Sequence, residues 1–295
     1  MKTLLLSFVL LLSFAIFAVA AAAEAAGGPP AIGTAPASVD LRSVPGAAAY
    51  GAGHAIPLKA ARPPWYTEEL SGGARKSPGT PVPAPTDAPL PSEVGIRPGS
   101  WMIEPYGCTM NFVFSRGSRL AVGTAGHCTD FVKQHVVLLT LTPGTGNPVL
   151  LDIGTVVARH DNGVGDDFAL VEIYPSLYDW VSATTAAIGG PCGAYYGSGP
   201  EIVWHYGHGL VIGTGGTPRA GVGLTWQQDA FGWDSAAIFG DSGSPARVTD
   251  LKAAGDLTHL VVDANWLPSF IAGTRIGKIL DIANGWQLVS SPLCL

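Results

Sequence analysis

From residue 96 onward, turn residues cut the chain into short runs of β-forming residues. No other feature limits so strongly what it can fold into. The runs lie at 111–114, 120–123, 135–141, 151–159, 168–174, 202–205 and 259–264. Many short strands at close spacing build a sandwich or a barrel. With 39 glycines and 24 prolines among 295 residues, a long helical bundle is excluded. The 47% hydrophobic content likewise excludes a wholly disordered chain. One helical pattern stands near the end, where Ile276, Ile279, Leu280 and Ala283 fall at i, i+3, i+4 and i+7. Thr274 is its candidate N-cap and Asn284-Gly285 its stop. The expected architecture is all-β with a terminal helix, and residues 96–295 suffice for a substantial core.

The N-terminal third has a different character. Lys2 precedes an apolar stretch over 4–17, and Ala18-Val19-Ala20 and three further alanines follow. This is the layout of a secretory signal peptide over residues 1–23, cut after Ala20 or Ala23. The competing reading is an uncleaved anchor, since residues 4–23 reach the roughly 20 needed to span a bilayer. The alanine-rich last third favours cleavage, so the expected product is secreted, without stable membrane association. Fourteen of the 24 prolines fall between Pro29 and Pro98, and Pro78-Gly79-Thr80-Pro81-Val82-Pro83-Ala84-Pro85 has extended linker composition. Trp65, Tyr66 and Leu70 are the one compact apolar cluster there. Residues 24–95 read as a pro-segment or linker, because so little periodic pattern cannot offset the entropy of independent folding. The net charge of −6 resides in residues 96–295, where ten Lys and Arg face sixteen Asp and Glu. No nucleic-acid partner is expected of that balance.

Three segments carry chemistry: Thr124-Ala125-Gly126-His127-Cys128, Asp166-Asp167-Phe168-Ala169-Leu170 and Gly240-Asp241-Ser242-Gly243-Ser244-Pro245. A serine between glycines sits where the backbone turns sharply, and the amides of such a turn can face a developing oxyanion. A neutral hydroxyl is a weak nucleophile and needs an adjacent base. A histidine base needs a carboxylate to fix its tautomer. His127 and Asp167 are candidates for those roles, in the chain order His, Asp, Ser.

Together these motifs resemble the trypsin-like (chymotrypsin-fold) serine peptidases, in particular the compact secreted bacterial members made with a pro-segment. The resemblance covers residues 96–295. It implies two six-stranded antiparallel β-barrels with the active site between them and a closing C-terminal helix. It also implies His127 as general base and acid, Asp167 as its orienting partner and Ser242 as nucleophile, with the amides of Gly240 and Ser242 as oxyanion hole. Asp166 rivals Asp167, which is preferred because the family's acid directly precedes the x-Ala-Leu run. The turn at 115–118 brings Cys108 and Cys128 opposite each other, as a disulfide requires; in an exported chain that bridge closes a loop worth about 3 kcal/mol. Cys192 and Cys294 then pair. No CxxC spacing occurs, so no metal is expected, and no cofactor site is recognised. His205 and His208 read as loop residues, and the glycine-rich run 207–216 lacks a phosphate-loop ending. His259 begins a strand, where lining the substrate cleft and packing are the two readings, and packing is the one expected.

Elsewhere the chain departs from the family. Ala236, six residues before the serine and followed by Ala237, stands where a trypsin-type pocket carries an acid. A small or apolar preference is therefore expected, with Phe239 narrowing the entrance. Residues 259–266 are expected to form one wall. Asp263-Ala264-Asn265-Trp266 stands there in place of the family's Ser-Trp-Gly. Asp263 would favour a basic substrate group or pack against the triad. Many family members pair a new N-terminus with the acid before the serine, here Asp241. Val94-Gly95-Ile96 is the nearest match, so removal of the pro-segment (a zymogen) is expected near 93–97. The expected function is a monomeric secreted serine endopeptidase, a hydrolase working on protein or peptide substrates through an acyl-enzyme. The alternatives are a catalytically silent binding or adhesion module on the same scaffold, and an esterase using the same triad.

Overall fold

The computed structural model describes residues 39–40, 54–209, 216–263, 265 and 267–294. The expected signal peptide lies outside them, as do residues 210–215, Ala264 and Trp266.

Two antiparallel sheets make up the body, and each rolls into a ring of six strands. In the first, Trp101–Glu104, Arg119–Thr124, His135–Leu141, Pro148–Asp161 and Asp167–Ile173 pair through a sixth path, residues 108–116. That path pairs with Trp101–Glu104 at its start and with Arg119–Thr124 at its end. Met110 N donates to Ser100 O at 2.9 Å and Asn111 N to Gly123 O at 2.7 Å, so the sheet has no gap between the two halves. Closure removes the free edges that a flat sheet would expose. Met102, Met110, Val122, Leu138, Leu151 and Val171 fill the interior.

The second ring repeats the scheme with Ile202–Gly207, Thr217–Trp226, Ala230–Asp234, Pro268–Thr274, Pro245–Val248 and the path 253–262. The path pairs first with Pro245–Val248 and then with Pro268–Thr274. Its interior holds Val203, Ala246, Leu257 and Ile271 around Phe231 and Trp233, whose rings stack at 4.8 Å. The chain is thus mostly β, with two six-stranded barrels and the short helix Ile276–Ile282 near its end. The helix buries Ile276, Ile279 and Ile282 against Phe112, Phe114 and Phe168 of the first barrel. Its N-cap is Arg275, one residue later than expected. The hydroxyl of Thr274 is instead committed to the backbone of Asp167, donating to its carbonyl at 3.0 Å and accepting from its amide at 3.2 Å.

From His54 onward the proline-rich stretch has no core of its own. It borrows the outer face of the first barrel, where Tyr66 and Ala74 pack with Trp101, Ile103, Val137 and Leu150. The helix Glu68–Arg75 follows a Thr67 cap whose hydroxyl accepts from Leu70 N at 3.3 Å, with Glu68 and Glu69 in the first turn. Tyr66 and Ser71 donate to the two oxygens of buried Glu104 at 2.6 and 3.0 Å. Val82–Pro83 adds a short strand against Pro148–Asp161. The disulfides are Cys108–Cys128, with Cα atoms 6.3 Å apart, and Cys192–Cys294, at 5.4 Å.

One buried side chain makes stability depend on pH. His205 sits within the second barrel, and its Nδ1 accepts from the Trp233 indole at 3.3 Å. Burial pushes its imidazole down to about 3 from an ordinary 6.5. The unfolded chain therefore binds a proton that the folded chain refuses, and stability falls as pH drops from 6.5 toward 3. His205→Gln keeps an acceptor for the indole but does not titrate. Urea unfolding at pH 7 and pH 4.5 is expected to show the variant losing about 2 kcal/mol less than the parent between the two.

Candidate active site

Each motif reaches the cleft by a local device. The strand Arg119–Thr124 ends in a tight turn, Gly126–Cys128, which holds His127 buried, and the Cys108–Cys128 bridge ties that turn to the neighbouring path. Asp167 is the first residue of Asp167–Ile173. Ser242 lies in a turn whose shape depends on two glycines: Gly240 has φ +104° and Gly243 has φ +86°. A Cβ on Gly243 would stand 2.1 Å from Thr109 O, so only glycine fits.

The three side chains form a line. Asp167 Oδ1 accepts from the His127 backbone amide at 2.9 Å, and Oδ2 lies 2.5 Å from His127 Nδ1. His127 Nε2 lies 2.6 Å from Ser242 Oγ. Because a carboxylate only accepts, Nδ1 carries the proton and Nε2 offers its lone pair to the hydroxyl. Burial works to raise the Asp167 carboxyl, but the neighbouring imidazoles of His127 and His259 and the His127 amide outweigh it. They hold the group below the usual carboxylate range. Asp166 turns elsewhere, to His160 Nδ1 at 2.9 Å, Asn162 Nδ2 at 2.8 Å and Lys278 Nζ at 3.3 Å.

The acid before the serine has a partner of its own. Arg219 grips both oxygens of buried Asp241, at 2.5 and 2.6 Å, and Ile238 N donates to the same carboxylate at 2.8 Å. A bidentate guanidinium thus occupies the place where the resemblance led us to expect a newly formed ammonium. Arg219→Ala would strand Asp241 as an uncompensated buried charge, which typically costs about 3–5 kcal/mol. Thermal unfolding is expected to show that loss, and reaction of Ser242 with serine-directed reagents to fall with it.

The expected pocket residues scatter. Ala237 is half-buried beside the second-barrel core, whereas Ala236 and Phe239 are exposed. Asp263 Oδ1 accepts from the amides of Asn265 and Leu267 at 2.8 and 2.9 Å, which closes a hairpin turn and employs the carboxylate there. The edge presented to the cleft comes earlier, at Thr258 and His259–Val262. Thr258 O accepts from Ser242 Oγ at 3.1 Å. His259, read from sequence as packing, stands edge-on to His127 with ring centres 5.5 Å apart and Nδ1 3.7 Å from Asp167. Burial pushes it down to about 4, so it stays neutral near pH 7. His208, read as a loop residue, is buried with Nε2 2.6 Å from Glu93 and its ring stacked on Trp101. Among the described residues, the one His and acid group close enough to hold a cation is His127, Asp167 and His259, all within 4.8 Å. Its members are already engaged with one another.

No family model and no curated protein matches this sequence. Solved structures do. Thermobifida fusca protease A is 20% identical, covering 66% of this chain and 100% of its own, with a TM-score of 0.47. A glutamic acid-specific serine protease described as using a histidine triad in substrate binding is 13% identical over 66% and 100%, with a TM-score of 0.48. The thermostable serine protease AL20 from an extremophilic microorganism is 16% identical over 68% and 97%, at 0.46. Among the described residues no helix is long and apolar enough to cross a membrane.

Proposed function

We propose that this chain is an exported serine endopeptidase that hydrolyses peptide bonds through an acyl-enzyme on Ser242. The observation that carries the reading is the buried line Asp167–His127–Ser242, with spacings of 2.5 and 2.6 Å, beside a turn shaped by Gly240 and Gly243. In the first half-reaction His127 Nε2 takes the Ser242 proton as Oγ attacks the carbonyl carbon. The amides of Gly240 and Ser242 receive the developing oxyanion. His127 then returns the proton to the leaving nitrogen, and the acyl ester remains. Water repeats the sequence with His127 again as base. Asp167 keeps the ring in the productive tautomer and balances the imidazolium. Two disulfides fit an oxidising compartment.

The test is covalent labelling of the purified protein with phenylmethylsulfonyl fluoride. The adduct is expected on Ser242 by peptide mapping, and it is expected to vanish in His127→Ala. An adduct on another residue, or none on protein whose disulfides and fold are intact, rejects the reading.

A further inference from the structure

The cleft beside Ser242 is occupied by the chain's own residues 54–60, and they lie across it as an extended peptide. His54–Pro57 pairs antiparallel with His259–Val262, in the register Ile56 to Leu260 and Pro57 to His259. Leu58 N then donates to Thr258 O at 3.0 Å, the carbonyl that also accepts from Ser242 Oγ. Leu58 O accepts from Gly240 N at 2.5 Å, the amide assigned above to the oxyanion. Past the serine, Ala60 and Gly107 exchange two backbone hydrogen bonds, at 2.8 and 3.0 Å. Lys59 Nζ donates to His127 O at 2.9 Å and rests 3.9 Å above the centre of the Tyr106 ring. Backbone pairing on both sides of one carbonyl, with that carbonyl on a candidate oxyanion amide, is the arrangement of a peptide held for cleavage.

We infer that the Leu58–Lys59 peptide bond is a substrate of this active site in the same molecule, and that until it is cut and released residues 54–60 block the cleft. The inference rests on the proposed peptidase reading and adds the bond, the register and the substrate class. Ser242 Oγ bonds to the Leu58 carbonyl carbon as its proton passes to His127. The carbon–nitrogen bond to Lys59 then breaks, with that proton going to the Lys59 nitrogen. Water, deprotonated by His127, displaces Oγ, and Leu58 is left with a free carboxylate. No other reactant is needed.

The substrate class follows from where Leu58 lies. It is 1% exposed and belongs to the apolar cluster of the second barrel, with Trp233 and Ile271 and with Ala237 and Leu260 at its border. A branched aliphatic side chain before the cut bond is matched there, and a charged one would lose its hydration without a partner. The inferred cut position also differs from the expected one. Residues 93–97 are tied into the barrel edge, with Leu141 N donating to Glu93 O, Gly95 N to Leu141 O and Ile96 N to Trp180 O. Cleavage at 58–59 instead leaves residues 59–98 attached as part of the mature enzyme, still clasping Glu104 through Tyr66 and Ser71.

The test uses the full chain and its Ser242→Ala and Leu58→Asp variants, each followed by intact mass and N-terminal sequencing after purification. The parent is expected to yield a chain beginning at Lys59, at a rate independent of protein concentration, and the Ser242→Ala chain to remain joined there. Leu58→Asp is expected to abolish the cut at 58–59, and the uncut chain to label at Ser242 with phenylmethylsulfonyl fluoride far more slowly than the processed parent. A peptide p-nitroanilide ending Ala-Ile-Pro-Leu is expected to turn over on the order of 100-fold faster than its Asp or Lys counterpart. An enzyme that labels at Ser242 and cleaves added peptides but keeps its Leu58–Lys59 bond overturns this inference alone. So does a Ser242→Ala chain cut at the same bond. Absence of both labelling and turnover in the parent overturns it together with the peptidase reading.

Discussion

His127→Ala is expected to lower kcat/KM for a peptide substrate by on the order of 10⁶-fold, with little change in KM. The reason lies in the two acceptors available to the Ser242 hydroxyl. One is His127 Nε2 at 2.6 Å and the other is Thr258 O at 3.1 Å. A backbone carbonyl can hold that proton in a hydrogen bond but is far too weakly basic to remove it. Without the imidazole, Ser242 stays protonated and merely rotates to the carbonyl. Its neighbour His259 is no substitute, since burial pushes it down to about 4 and its ring is already engaged with Thr258 at 2.8 Å. Substrate contacts along His259–Val262 and at Gly240 remain, so binding survives while chemistry stops. Steady-state kinetics with unchanged thermal unfolding checks this. A loss of less than about 100-fold is at odds with general-base catalysis by His127.

Asp167→Asn is expected to cost about 10⁴-fold in kcat, again with binding retained. Asp167 uses both oxygens on one residue: Oδ1 holds the His127 backbone amide at 2.9 Å and Oδ2 the ring at 2.5 Å. An asparagine keeps its oxygen toward the backbone amide and turns its NH₂ toward Nδ1. The ring must then accept at Nδ1 and carry its proton on Nε2, facing Ser242 with a donor where a base is needed. The geometry is nearly unaltered and the tautomer is wrong. Asp167 is fully buried, so the Nδ1 side of the ring is offered no acceptor in place of the lost carboxylate. The rate is expected to recover partly at high pH, a rise not expected of the parent chain. Direct observation of the imidazole protons by NMR separates the tautomer account from simple misfolding.

Much of this arrangement was legible in the sequence, for identifiable reasons. His127, Asp167 and Ser242 announce themselves because each sits in a turn or strand end whose neighbours are constrained by the same chemistry. Gly243 cannot be anything else, since a Cβ there would stand 2.1 Å from the Thr109 carbonyl oxygen. Long runs such as His135–Leu141, with its continuous Val and Leu, read as strands because both faces are buried. Ala253–Asp256 escaped notice: Ala-Ala-Gly-Asp has no β-branched residue, and at Gly255 a Cβ would stand 2.0 Å from Thr274 O. Thr217–Trp226 escaped because glycines interrupt its apolar alternation. Arg219 was invisible as the partner of Asp241, since twenty-two positions separate them and the strand only then folds back. The helix cap slipped by one residue because Thr274 had a stronger commitment in three dimensions than in one. The largest omission was the docked segment, whose apolar residues count as sparse until another surface is supplied. Tyr66 means little without Glu104.

Thr274 deserves a last thought, because it belongs to one barrel and holds both backbone atoms of Asp167 in the other. A hydroxyl used in this way acts as a clasp across the seam, seated directly behind the acid. Any breathing motion that parts the halves, whether driven by heat or by mild denaturant, must unfasten it and set the carboxylate adrift while every strand is still paired. The upper temperature at which such a catalyst works is then governed by its seam, and reinforcing either core would do little to raise it.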